Sequence, residues 1–139
     1  MTGSAEQYPF VEVDPASGAA SRMPYLPVTL SLGQQALQTS GLLDTGAAIN
    51  ALPYAVGAQL GAVWEQQPTP VRLTGNLAGV EARVLVVTAV VGQFAPVRLA
   101  FAWARADGLA VILGQVNFLM EFDVCFYRAR SVFEIRPKT

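Results

Sequence analysis

The spacing of apolar residues, in short stretches broken by turn signals, most constrains what this chain can fold into. Val28, Leu30 and Leu32 alternate with Thr29 and Ser31, and Val97, Leu99, Phe101 and Trp103 alternate with Arg98, Ala100 and Ala102. A period of two sends alternate side chains to one face, the mark of a half-buried strand. Stretches at 35–43, 69–73, 80–91, 124–127 and 131–136 read as further strands. Gly33-Gln34, the segment Thr74-Gly75-Asn76-Leu77-Ala78-Gly79 and Arg128-Ala129-Arg130 supply turns between them. Two segments carry helix signals. Residues 53–60 open on Pro53, stop before Gly61 and set Val56 and Leu60 one turn apart, and 115–122 follows Gly114. The expected class is mostly β, a small barrel or sandwich with one or two short helices. Residues 1–24 read as an N-terminal arm that could be partly ordered. Tyr8 to Val13 could form one short strand there, with Val11 and Val13 on one face, before a flexible linker at 14–21. The folded domain is expected over 25–139.

Composition narrows the chemistry. The chain has 139 residues, enough to bury a core without disulfide or metal staples. Only 14% are charged, against about 25% in an average soluble protein. A chain with 53% hydrophobic residues and so little charge hides surface against a partner or builds an unusually complete core. Without histidine there is no Ser-His-Asp triad, no Cys-His pair, no imidazole ligand and no imidazole base. Cys125 is alone, which excludes an internal disulfide and a thiolate zinc site within one chain. Nine basic residues against ten acidic ones leave no electrostatic footprint for nucleic acid. No apolar run approaches the roughly 20 residues that span a bilayer, and residues 1–7 lack the features of a signal peptide. The expectation is a soluble, cytoplasmic protein with no cofactor and no metal. Catalysis in such a chain falls to carboxylates, hydroxyls and backbone groups.

The strongest chemical signal is Leu42-Leu43-Asp44-Thr45-Gly46-Ala47. An apolar strand delivers one acid straight into a tight turn. As a bare tripeptide, Asp-Thr-Gly is explained by an Asx-turn. The context adds a hydroxyl and backbone N–H groups beside the carboxylate. Downstream, Val111-Ile112-Leu113 runs into Gly114 and then a helical segment.

These two elements, in this order, resemble the retropepsin family of aspartic proteases, and the resemblance spans 28–135. It implies a closed acid-protease barrel with one catalytic loop per chain. Peptide hydrolysis of this kind uses two carboxylates sharing one proton, and one chain carries one such loop. The resemblance therefore implies a homodimer with Asp44 from each subunit in the dyad and a polypeptide substrate. Thr45 would hydrogen-bond across the axis, and the Gly46 N–H would stabilise the carboxylate. Substrate contacts would come from Ala47, Ile112 and a mobile flap of Thr74, Gly75, Asn76, Leu77, Ala78 and Gly79. The two flap glycines equally suit an ordinary hairpin.

The chain departs from the family pattern at three places. Viral members carry an acid where this chain has Ala48, and an arginine just after the second glycine, where it has Gln115; the charges form an ion pair there. Val116 stands as an extra residue before Asn117. Two other readings stay open: a catalytically inactive dimer of the same fold serving as a peptide-binding or scaffold module, and a plain β domain whose Asp44 closes a turn. Elsewhere Asp107-Gly108 reads as a turn, Asp123 as a local hydrogen-bonding residue, and Trp64 and Trp103 as core or interface. Arg128 and Arg130 read as a solvated face, Cys125 as a small hydrophobe in an apolar strand, and Lys138 as tail.

Overall fold

The computed structural model describes residues 4–139. Its strands are β1 (Glu6–Pro9), β2 (Val11–Glu12), β3 (Arg22–Met23), β4 (Tyr25–Leu32), β5 (Gln35–Leu43), β6 (Asn50–Leu52), β7 (Ala82–Val90), β8 (Val97–Ala104), β9 (Val111–Leu113), β10 (Phe122–Tyr127) and β11 (Val132–Pro137). Two short helices, α1 (Tyr54–Gln59) and α2 (Phe118–Glu121), complete the framework. Six strands close a barrel in the order β4-β5-β9-β6-β8-β7, and β7 pairs back onto β4 from Thr29↔Val90 to Ser31↔Thr88. Closure, rather than a sandwich, settles the class left open by periodicity. No described helix is long and apolar enough to cross a membrane.

Alternation places the core. Val28 and Leu30 of β4, Leu85 and Val87 of β7, and Leu99 and Phe101 of β8 all bury their side chains in one cluster. The expectation of a half-buried 97–103 strand fails at its C-terminal half. There Ala102 and Ala104 are buried as fully as Trp103, because they pack with Leu73 and Ala82 in a second cluster. The helix expected over 53–60 forms as α1, with Pro53 in extended backbone capping it just before Tyr54. The helix lies so close to β8 that a Cβ on Gly57 would run into the Trp103 indole. Trp103 donates its Nε1–H to the Tyr54 carbonyl at 3.0 Å and stacks on the Tyr54 ring at 5.3 Å. Trp64 is buried beside it, with ring centroids 5.2 Å apart.

Outside the barrel, β1, β11 and β10 form a three-stranded sheet, and β2 pairs with β3. The single strand expected over 8–13 is instead split at Phe10, and β2 turns away to pair Val11 with Met23. On β10 the period of two puts Phe122, Val124 and Phe126 on one face, opposite Pro137, Ile135 and Phe133; Phe122 is buried, Val124 half-buried and Phe126 exposed. Cys125, read as a small hydrophobe in an apolar strand, lies on the other side opposite Glu134 and is exposed. Arg128 is more than a solvated charge. It donates to the Ala19 carbonyl at 2.9 Å and lies over the Phe10 ring.

The first strand is locked by one carboxylate. Glu6 accepts the Tyr8 hydroxyl at 2.6 Å and the Gln93 N–H at 3.0 Å, while Tyr8 stacks on Phe133 at 5.7 Å. Burial, and then the adjacent Glu6 carboxylate, push the Tyr8 phenol up to about 12. The folded state therefore holds the phenolic proton above the pH at which the unfolded chain releases it, so stability falls as pH rises from about 10 through about 12. Thermal unfolding midpoints measured across that window should decline less steeply in Tyr8→Phe than in the parent. Equal slopes would show that β1 is not held through this phenol.

Candidate active site

The site is built where β9 threads between two strands. β5 pairs parallel with β9 from Gly41↔Val111 to Leu43↔Leu113, and β6 meets β9 antiparallel at Ala51↔Ile112. Gly41 permits the approach, because a Cβ there would come within 2.6 Å of the Leu113 side chain. β5 thus delivers Asp44 to the end of a parallel pair, where the chain must turn. The Asp44 N–H donates to the Leu113 carbonyl at 3.0 Å, which carries the β5–β9 ladder one residue past the strand. The Asp44 carbonyl accepts the Ala47 N–H at 3.2 Å and closes the turn. Within it, the Gly46 N–H donates to Asp44 Oδ1 at 2.9 Å. Asp44 is half-buried, whereas Thr45 and Gly46 are exposed.

Backbone bonds then tie the turn to the segment after β9. Gln115 N–H donates to the Ala47 carbonyl at 2.9 Å, Val116 N–H to Ala48 at 3.0 Å, and Asn50 N–H to Val116 at 2.9 Å. Gly114 lies at the centre of this crossing. A Cβ there would stand 2.7 Å from the Ile49 carbonyl oxygen and 2.8 Å from that of Ala47. Both obstacles are backbone, so neither can swing aside.

Beneath the crossing lies a pair of amides that the sequence reading missed. Asn50 is fully buried; its Oδ1 accepts the Gly114 N–H at 2.8 Å, and its Nδ2 reaches the Ala100 carbonyl at 3.1 Å and Asn117 Oδ1 at 3.2 Å. Asn117 Oδ1 also accepts the Ala100 N–H, and its Nδ2 donates to the Arg98 carbonyl. One signal was present: an amide set in the apolar run Ile49-Asn50-Ala51-Leu52 must find partners if buried. The helix expected from Gln115 starts only at Phe118, because residues 115–117 are committed to these contacts. Gln115 itself donates its side-chain Nε2–H to the Thr45 carbonyl at 2.7 Å.

The structure brings Asp44, Thr45, Gly46, Ala47 and Ile112 together at the crossing. The 74–79 segment is a separate turn. Residues 69–73 form no strand; Pro70 makes a single bridge to Arg83, flanked by bonds from Val71 N–H to Ala82 and Val84 N–H to Thr69. The two prolines at 68 and 70 account for this, since neither can donate to a ladder. Gly75–Leu77 forms a 3-10 turn, and Gly75 and Gly79 adopt φ of +64° and +87°. A groove of about 680 Å³ runs between the limbs of this segment, lined by Val71, Leu73, Ala78 and Val80 among others. Leu77 and Val80 pack on the same cluster as Ile49, which joins the segment to the end of the Asp44 turn. The other aspartates are placed elsewhere: Asp14 binds its own turn, Asp107 accepts the Ala55 N–H at the start of α1, and Asp123 is exposed on β10. Among the described residues, no cluster of three or more His, Cys, Asp or Glu could hold a metal ion.

Comparison with solved structures places the fold. The chain is similar to a retropepsin-like aspartic protease from Rickettsia conorii, with a TM-score of 0.61 at 14% identity, over 99% of this chain and 94% of that one. The barrel has a retropepsin-like acid-protease fold. It is also similar to an aspartic proteinase from Irpex lacteus, with a TM-score of 0.58 at 15% identity, over 99% of this chain. This chain spans 48% of the length of that second protein. No protein-family model matches the chain, and no curated protein matches it.

Within this retropepsin-like fold, Gly114 and Asn50 set the position of the turn that carries Asp44. Gly114→Ala should destabilise by about 1–3 kcal/mol, the usual cost of overpacking against atoms that cannot move. Asn50→Leu should lose about 2–3 kcal/mol or more, because it strands the Gly114 N–H and the Ala100 carbonyl in the interior. Urea unfolding of both variants checks this; midpoints unchanged from the parent would remove the crossing as the organising contact.

Proposed function

We propose that the chain is an aspartic endopeptidase whose active form is a homodimer, with the Asp44 carboxylates of two subunits forming the catalytic pair. The observation that carries this reading is the placement of a lone, half-buried aspartate at the strand crossing of a retropepsin-like barrel, its Oδ1 held by the Gly46 N–H. The 48% coverage of a longer aspartic proteinase supports it, since a chain matching half of such a protein can supply half of a site.

The chemistry follows from two carboxylates about 3 Å apart, which cannot both ionise and so hold one proton between them. The ionised member takes a proton from a bound water as the water oxygen attacks the peptide carbonyl carbon. The protonated member gives its proton to the carbonyl oxygen, forming a neutral tetrahedral diol. On collapse a proton passes to the amide nitrogen, the C–N bond breaks, and carboxyl and amine products leave. The Thr45 hydroxyl would bridge to the partner turn, and the Gly46 N–H would orient the carboxylate. Ala47 and Ile112 would border the substrate backbone, with residues 74–79 closing over it to exclude water.

Asp44→Asn should lower peptide cleavage by about 10²–10⁴-fold, the range expected when a general acid–base group is removed, with the circular dichroism spectrum and sedimentation unchanged. The parent's specific activity should also fall on dilution through the dimer dissociation range, since one chain carries one Asp44. Undiminished cleavage by purified Asp44→Asn would overturn the assignment. A parent that binds peptides without cleaving them would leave the binding-module reading in its place.

A further inference from the structure

We propose that Gln115 is the positioning residue of the Asp44 carboxylate, acting through the peptide unit between Thr45 and Gly46. That unit is held on both sides. Its carbonyl oxygen accepts the Gln115 Nε2–H at 2.7 Å, and its N–H donates to Asp44 Oδ1 at 2.9 Å. A peptide plane is rigid, so the side chain that fixes the carbonyl also fixes the direction in which the N–H points. Hydrogen bonding at the carbonyl further polarises the unit and strengthens its N–H as a donor. Gln115 grips the turn twice, because its own backbone N–H donates to the Ala47 carbonyl at 2.9 Å. Among the described residues, it supplies the one side-chain hydrogen bond that reaches residues 44–48 from outside that turn.

The residue type matters for this role. Facing a carbonyl oxygen, the Gln115 amide must present its NH2 group, and it does so without charge. None of the ion pairs among the described residues, Arg22–Glu12, Arg83–Glu81 and Lys138–Glu121, touches the turn. The clamp is therefore neutral and not screened by salt. Gln115 is exposed, so replacing it leaves no buried group without a partner and spares the fold.

The inference rests on the aspartic-protease reading of Asp44, and two readouts keep them separable. One is the hydrogen-exchange rate of the Gly46 amide by NMR; the other is kcat/KM on a peptide substrate. Gln115→Ala should speed Gly46 exchange and lower kcat/KM by about five- to tenfold each, the scale of one net hydrogen bond. Gln115→Glu supplies the decisive pH signature. Above about pH 4 the introduced carboxylate cannot donate to a carbonyl, whereas its protonated form can. Measured relative to the parent at each pH, both readouts should therefore be impaired near neutrality and recover on acidification. Parent-like exchange and activity in Gln115→Ala would overturn the inference, as would a loss in Gln115→Glu that is the same at every pH. If the parent cleaves nothing, the proteolytic reading fails, and Gly46 exchange still decides whether Gln115 holds the turn.

Discussion

The buried amide of Asn50 is the contact on which the rest of the site depends. β9 has to pass between β5 and β6 with no room for a side chain at Gly114, which leaves the Gly114 N–H facing the interior. Without a partner that donor would cost about 1–3 kcal/mol. Asn50 Oδ1 accepts it, and Asn50 Nδ2 in turn reaches across to the Ala100 carbonyl on β8. One side chain therefore joins three elements of the barrel at the level of the Asp44 turn. Asn117 completes the pair by binding β8 backbone at Ala100 and Arg98. A fully satisfied polar pair in an apolar barrel fixes register more strictly than packing alone, because any slip leaves several groups unpaired at once.

Above that floor the turn is held by peptide groups. The bonds from Asp44 N–H, Gln115 N–H and Val116 N–H all run between backbone atoms, so they constrain the path of residues 44–48 whatever their side chains. This explains how Thr45, Gly46 and Ala48 can be exposed and still sit in a defined turn. It also explains the small residues. Gly46 leaves its missing Cβ position 3.3 Å from Asp44 Oδ1, closer than a methyl group sits comfortably. The 74–79 segment is held differently. Its tie to the crossing is apolar contact through Leu77 and Val80 with the cluster that also takes Ile49, and apolar contact tolerates displacement better than a directional hydrogen bond.

The legible parts of the sequence are those governed by local rules. Alternation at Val28–Leu30 and Leu99–Phe101 marked barrel strands, Pro53 marked the start of α1, and Leu43-Asp44-Thr45-Gly46 followed by Leu113-Gly114 marked the crossing. Features set by distant residues were less visible. The burial of Ala102 and Ala104 depends on a second cluster containing Leu73, which no period within β8 encodes. Asn50 escaped, and Gln115 was legible only as a departure from the family's arginine, for a related reason: their partners, Gly114 and Thr45, lie 64 and 70 residues away. The exposure of Cys125 was not legible from its apolar run, because the run still alternates and its register puts Glu134 beside it on the open face.

Charge, scarce throughout the chain, is scarcest where it matters. Across residues 40–53 and 109–120, the two segments that make the crossing, Asp44 is the one ionisable side chain. Every hydrogen bond that holds its turn comes from a peptide or amide group. No arginine or lysine within these segments is available to fix a carboxylate in its ionised state. In the proposed dimer, each Asp44 would face the other with no cation supplied by these segments. Two carboxylates brought together with no neighbouring cation relieve their repulsion by sharing a proton. A low-charge chain without histidine can thus arrange acid and base from one residue type, provided that two copies meet.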